Sequence, residues 1–475
     1  MQPILSNADP SHPPGPAVPR WVRMADVLTL AALVVAIAVM VGGGFRVRYG
    51  PFRLAATSPV TPWLLVLLLA GVRHLVHPKP HVLHRIRAFA GAAARSASVR
   101  AAVPVFALTR AAVLAVGVVA LVTIGYAPGE PNTRLFDDEI MNLPVRWDAG
   151  WYFQIAKTGY YWDPHKRGQQ NIAFFPAFPM ATRGVARLFG GEPAAYLVAG
   201  VALSHAAFLA ALVLLWQLAR RLTGDDHAAR AAVVLLSCYP FAVFYGAYYT
   251  ESFFLLGVVG ALNALERERP WSAVPFGLLV GLTRPNGFLL AASLALVAWR
   301  VTRARRLRSA GSLAPWIVAM AAPVIGVAIY SAYIYSLTGN PLTWWAQHAA
   351  WGRSYAGLDP LLDAAGNISR DGVLAFLNAH PYRFLNFIPA VVAVACAIPV
   401  WRRFGPAYGV FLLLNLVPPL VLGGTISMGR VTATMFPIFL WLAVALPGGA
   451  ATLAGTFAIL QGLAAALFYT WRPLY

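Results

Sequence analysis

Residues 194–218 read AAYLVAGVALSHAAFLAALVLLWQL, and Arg220 and Arg221 follow almost at once. About 20 apolar residues in a helix are enough to cross the hydrocarbon core of a bilayer. Similar runs recur at about 26–44, 58–75, 103–125, 230–249, 252–265, 271–283, 287–299, 313–335, 384–400, 405–423, 434–447 and 449–470. The chain of 475 residues is 59% hydrophobic and 11% charged. A soluble domain carries roughly 25% charged residues to solvate its surface. These figures exclude a cytosolic enzyme, a secreted disulfide module and a disordered chain. The expected fold is all-α and integral to the membrane, a bundle of about 11–13 membrane segments. Cys238 and Cys396 both fall inside apolar runs, where they act as small hydrophobes.

The charge pattern orients the bundle. Lys and Arg number 37 against 17 Asp and Glu, a formal charge of +20. The basic residues lie mostly in short loops, which is the positive-inside pattern and not a nucleic-acid footprint. Residues 71–100 carry Arg73, Lys79, Arg85, Arg87, Arg95 and Arg100; Arg220 and Arg221, Arg267 and Arg269, Arg300 to Arg308, and Arg402 with Arg403 follow. Placing these inside leaves the loop with Arg46, Arg48 and Arg53 as the exception. It also puts two long loops outside, about 126–193 and 336–383, which hold ten of the seventeen acidic residues. A transporter keeps its key charges in mid-span. Polar chemistry on an outer face points instead to an enzyme at the membrane–water interface, with a transporter or flippase of a lipid-linked sugar as the alternative. The two apolar runs flanking Thr283–Gly287 are too short for full spans, and are expected to be half-helices meeting at Arg284-Pro285-Asn286-Gly287.

The richest stretch for chemistry is RWDAGWYFQIAKTGYYW, Arg146 to Trp162. After Asp148, the residues Trp151, Tyr152, Ile155 and Ala156 share a helix face, and Gly159 is a natural stop. Such short amphipathic, aromatic-rich helices suit the headgroup zone. Asp148 reads in two ways. It is a favoured helix N-cap residue. It is also a carboxylate between Trp147 and Trp151, partly desolvated and beside aromatic faces that suit sugar stacking. Ala173 to Pro179, AFFPAFP, forms a rigid apolar ledge that includes Phe175. Glu251, in YYTES, sits at an outer span end, where a carboxylate needs a partner. Arg284, beside Asn286 at the half-helix break, and Arg430 are candidate partners or phosphate ligands. Asp137-Asp138-Glu139 reads first as a solvated turn, with ligation of a divalent cation as the alternative, and no metal site is assigned. Trp344, Trp345, Trp351 and Arg353 on the second outer loop either line an acceptor site or form an interfacial belt.

Taken in order, RWDAGWYFQIAKTGYY, AFFPAFP, YYTES, TRPNG and MGRVTATMFP resemble the PIG-V type of mannosyltransferase, over about residues 103–445. That family belongs to the GT-C glycosyltransferases, which are multispanning and use polyprenyl-phosphate sugars. The resemblance implies a GT-C-like bundle with large extracytoplasmic loops, and a hexosyltransferase that inverts the anomeric carbon with Asp148 as catalytic base. It implies a polyprenyl-phosphate mannose donor, no cofactor, and a lipid-linked, glycan or protein acceptor. Arg146, Arg284 or Arg430 would hold the leaving phosphate. The eukaryotic namesake builds the glycosylphosphatidylinositol anchor. The Arg-over-Lys and Ala-rich usage here is actinobacterial-like, so that acceptor does not carry over. The expected organisation is a cytoplasmic tail (1–24), an accessory hairpin with a basic segment (25–102) and the transferase domain (103–475), in the plasma membrane with its site outside.

This topology is testable with single cysteines. Ala304→Cys is expected to stay protected from an impermeant thiol reagent in intact cells, as is Ala90→Cys, while Ile140→Cys labels. Labelling at 304 without labelling at 140 would invert the topology.

Overall fold

The computed structural model describes residues 19–42, 45–49, 52–56, 60–76, 87, 91–92, 94–129, 134–166 and 168–474. Most of the expected tail and most of the basic segment 77–90 lie outside the described residues. Contacts divide the chain into two units, residues 1–94 with 186–192, and the remainder.

In the first unit, α1 (Arg20–Gly42) and α2 (Val60–Val76) are joined by a small antiparallel hairpin. Its strands are β1 (Phe45–Tyr49) and β2 (Phe52–Ala56), with Arg48 opposite Arg53. The all-α expectation therefore holds apart from this hairpin, which carries the three arginines that broke the charge rule. Arg73 of α2 donates from Nε to Asp26 Oδ1 of α1 at 2.8 Å, with both side chains buried. An unpaired charge inside an apolar helix pair is costly, so this bond ties the pair in register.

The second unit begins with α3 (Ala97–Thr123) and the short α4 (Ala149–Thr158). It continues through α5 (Ala177–Leu188), of which residues 177–185 belong to this unit, α6 (Pro193–Thr223) and α7 (Asp226–Cys238). Next come α8 (Glu251–Glu266), α9 (Pro270–Thr283), α10 (Leu290–Ala304) and α11 (Ala310–Thr338). The chain closes with α12 (Pro381–Phe404), α13 (Pro406–Gly423), α14 (Met428–Ala433), α15 (Pro437–Ala445) and α16 (Ala450–Tyr469). Among the described residues, seven helices are long and apolar enough to cross a membrane. Several of the remaining apolar runs form helices of 17 residues or fewer, among them α2, α7, α8 and α9, so the count of full-length helices falls below the thirteen runs. The run at 230–249 breaks at Tyr239-Pro240: Tyr239 turns extended (ψ 139°) and a six-residue 3-10 turn follows. Proline pushes the residue before it out of the helical region and has no N–H to continue the ladder.

The half-helix expectation is corrected. At one end of α8, Glu251 pairs with Arg284, which follows α9. At its other end Glu266 accepts from Arg300 of α10 at 2.6 Å and from the Tyr408 hydroxyl at 2.9 Å. Helices α8, α9 and α10 thus each run between the same two levels, and α9 and α10 form an antiparallel hairpin with Arg284-Pro285-Asn286-Gly287 at its tip. Short apolar runs look alike in sequence whether they split one span or make two, and only the pairing of their ends separates the cases. Gly287 is required at this tip, because a Cβ there would run into the Val280 carbonyl oxygen. Farther along the same helix, a Cβ on Gly281 would strike the Pro323 carbonyl of α11. Arg267 bonds Gln217 at 3.0 Å, so the basic end of α6 gathers at the Glu266 level too.

Gly287→Ala is expected to cost about 1–3 kcal/mol through overpacking against fixed backbone. The measurement is thermal unfolding in detergent, with Gly455→Ala as control, since nothing lies within 4 Å of a Cβ at Gly455. Equal melting temperatures for the two variants would refute the tight tip.

Candidate active site

Helix α4 begins where the sequence placed it, and Gly159 ends it with φ at 97°. Tyr152, Phe153, Ile155 and Ala156 are buried, while Trp151 faces outward from that packing. Asp148 already has helical dihedrals and its side chain makes no capping bond. Its backbone N–H donates to Tyr249 Oη at 3.1 Å, and Tyr249 Oη donates to the Arg146 carbonyl at 2.9 Å. The carboxylate is therefore spent elsewhere: Oδ2 accepts from Arg430 Nη1 at 2.6 Å. Oδ1 has no partner among the described residues, and the side chain is 30% exposed.

Arg430 continues the chain of charges. Its Nε donates to Glu251 Oε1, and its guanidinium lies over the Tyr249 ring at 4.7 Å. Arg284 donates to the same Glu251 oxygen and stacks over Phe254 at 5.3 Å. Asp148, Arg430, Glu251 and Arg284 thus alternate in sign and sum to zero. They come from the residue just before α4, the short α14, the start of α8 and the α9–α10 tip. Two positive-φ residues frame the arrangement, Trp147 (φ 51°) before Asp148 and Ser427 (φ 60°) before α14.

These groups open on a cavity of about 900 Å³. Of the residues singled out in the sequence, Trp147, Asp148, Trp151, Tyr152, Phe175, Arg284, Asn286 and Arg430 line it. Phe175 also packs on Tyr330 and Trp344, with centroids at 4.6 and 5.1 Å, which anchors the AFFPAFP ledge to α11. Asn286 is held by Asn415 of α13 at 2.8 Å. Two expected residues do not reach the cavity wall. Glu251 has no exposed surface and sits behind the arginines as their counter-charge. Arg146 is buried and donates to the carbonyls of Tyr469, at 3.0 Å, and Asn142. It also covers the Trp471 ring at 5.3 Å, so its guanidinium is not available to a phosphate.

The segment between α11 and α12 supplies a further wall. Trp351 meets Trp151 and Phe174, with centroids at 5.8 and 5.4 Å. Arg353 lines the cavity without an ion pair among the described residues. Burial depresses its guanidinium pKa, with Arg430 and Arg284 repelling it and Asp148 opposing them. Burial and then Arg353 push His348 down to about 4, so this cavity imidazole is neutral at physiological pH. An apolar wall completes the space, from Phe288 and Leu289 of the tip and Pro418, Pro419 and Leu422 of α13. Trp471, which also lines the cavity, was not found from sequence, because it belongs to no motif and meets Trp147 only through the fold.

Fold and site together define a multispanning helical membrane protein with a carboxylate–arginine centre at one end of its helices. Residues 126–309 match the family described as Mannosyltransferase (PIG-V), which bears out the resemblance over that stretch. Over 153 residues the chain is 27% identical to GPI mannosyltransferase 2 of Drosophila pseudoobscura pseudoobscura, covering 30% of this chain. It spans about a third of that relative's length, 32%. Among solved structures it is similar to ArnT from Cupriavidus metallidurans bound to undecaprenyl phosphate, with a TM-score of 0.45, 15% identity, and 77% and 76% of the two chains covered. It is also similar to the archaeal oligosaccharyltransferase AglB from Archaeoglobus fulgidus in complex with an inhibitory peptide and a dolichol-phosphate. That TM-score is 0.41, with 12% identity and 77% and 56% covered.

Removing one partner from a buried ion cluster leaves uncompensated charge. Glu251→Gln is expected to cost about 3–5 kcal/mol, because two guanidiniums lose their shared anion. Urea unfolding in detergent reads this directly. A loss below about 1 kcal/mol, the scale of exposed pairs, would show that Glu251 does not hold the cluster together.

Proposed function

We propose that this protein is a GT-C membrane glycosyltransferase that moves mannose from a polyprenyl-phosphate donor to a lipid, glycan or protein acceptor. The reading places the site on the extracytoplasmic face of the plasma membrane, opposite the basic helix ends. One observation carries it: Asp148 offers a free carboxylate oxygen to an aromatic-walled cavity while its other oxygen is held by Arg430. A sugar hydroxyl is a poor nucleophile, so a carboxylate must take its proton as the bond to the anomeric carbon forms.

In this scheme the acceptor oxygen attacks the anomeric carbon from the face opposite the phosphate, giving inversion. The carbon–oxygen bond to phosphate breaks, and the hydroxyl proton passes to Asp148 Oδ1. The departing polyprenyl phosphate gains one negative charge. Arginines that bind phosphate by paired N–H groups stabilise that charge. Arg430 and Arg284 reach the cavity but already face Glu251 and Asp148. Arg353 brings the positive charge that no carboxylate cancels among the described residues. The wall of Phe288, Pro418, Pro419 and Leu422 suits the polyprenyl chain. The scheme calls for no metal or cofactor.

Asp148→Asn separates base from scaffold. Asn is nearly isosteric and still accepts a hydrogen bond from Arg430. Transfer from polyprenyl-phosphate mannose by the purified variant should fall about a hundredfold or more. Thermal stability and donor binding should persist. A stable variant that keeps more than about half of wild-type transfer removes Asp148 from the chemistry, since loss of a general base costs far more.

A further inference from the structure

We propose that Trp471 and Trp147 form the subsite for the acceptor's ring, a neutral sugar or cyclitol whose hydroxyl is presented to Asp148. This rests on the transferase reading above. The two indoles meet at a centroid distance of 5.1 Å and both line the cavity. Both residues hold left-handed backbones, with φ at 51° for Trp147 and 62° for Trp471. For bulky residues that conformation is costly, and it persists only where surrounding structure enforces it.

The enforcement is visible. Around Trp471, Ala127 N–H donates to the Thr470 carbonyl at 3.0 Å, and Arg472 donates to the Gly125 carbonyl at 3.0 Å. Arg146 bonds the Tyr469 carbonyl and covers the Trp471 ring. Arg146, expected from sequence to meet substrate, thus packs on this indole and holds the residue pair next to it. Yet Trp471, only 2% exposed, has no acceptor for its Nε1 among the described residues. A buried indole N–H normally has a partner. A donor fixed so firmly and left unsatisfied in a cavity wall suits a hydroxyl oxygen brought by a ligand.

Chemistry selects the ring over the phosphate. Indole faces and a neutral N–H favour the C–H faces and hydroxyls of a polyol. The cations suited to phosphate, Arg284, Arg430 and Arg353, come from other elements. Trp147 directly precedes Asp148, and both residues line the same cavity.

The test uses methyl α-D-mannopyranoside as probe and the full-length protein in detergent. Wild type should bind it, and saturating polyprenyl-phosphate mannose should leave it bound. Trp471→Phe keeps an aromatic ring and loses only the N–H. It should weaken the glycoside about three- to tenfold, the scale of one neutral hydrogen bond, with donor affinity unchanged. Trp471→Ala should weaken it further. Failure of wild type to bind, unchanged affinity in Trp471→Phe, or equal weakening of glycoside and donor would overturn the subsite. Displacement by the donor would assign the indoles to the donor's own mannose and overturn the acceptor assignment. Glycoside binding that depends on Trp471, with no transfer by wild type, would instead refute the transferase reading and leave the subsite standing.

Discussion

Glu251 has no exposed surface, and its carboxylate is tolerated there because Arg284 and Arg430 both donate to it. Isolated in a low-dielectric interior that charge would cost several kcal/mol. Its pairing draws together the start of α8, the tip of the α9–α10 hairpin and the short α14, which are 33 and 179 residues from Glu251 in sequence. Arg430 then reaches Asp148 with its other nitrogen. The position of the candidate base therefore follows from the burial of a second carboxylate that never meets the cavity.

Depth follows from the same helices. A helix of 16 residues such as α8 rises about 24 Å, less than the roughly 30 Å hydrocarbon core. Glu251 and Glu266 mark the two ends of this helix, and the cavity opens at the Glu251 end. Under the proposed function, a lipid-borne substrate would meet such a site through apolar walls and a polar one through its polar walls. The cavity has both kinds of wall, prolines and Phe288 on one hand, indoles and arginines on the other.

The Arg146 and Trp471 contact shows how a sequence motif can mislead about role. Arg146 sits two residues from Asp148, and in the motif it looks like part of the chemistry. Its guanidinium is oriented by carbonyls at Asn142 and Tyr469, which lie four and 323 residues away. A positive side chain near a carboxylate is drawn to whichever acceptors burial leaves unsatisfied, and here those are mainly backbone oxygens.

The helices and their order were determined by the sequence itself, because apolar runs report directly on solvent preference. The members of the ion cluster were legible too: Asp148, Glu251, Arg284 and Arg430 stand out because charges are rare in such a chain. Their pairing was decided only by tertiary structure. Nothing local says that Asp148 leaves its helix cap for Arg430, that α9 and α10 double back instead of sharing one span, or that Trp471 closes on Trp147. Each depends on which helix ends lie at the same level, and that is settled by packing and by the cost of leaving a buried charge alone.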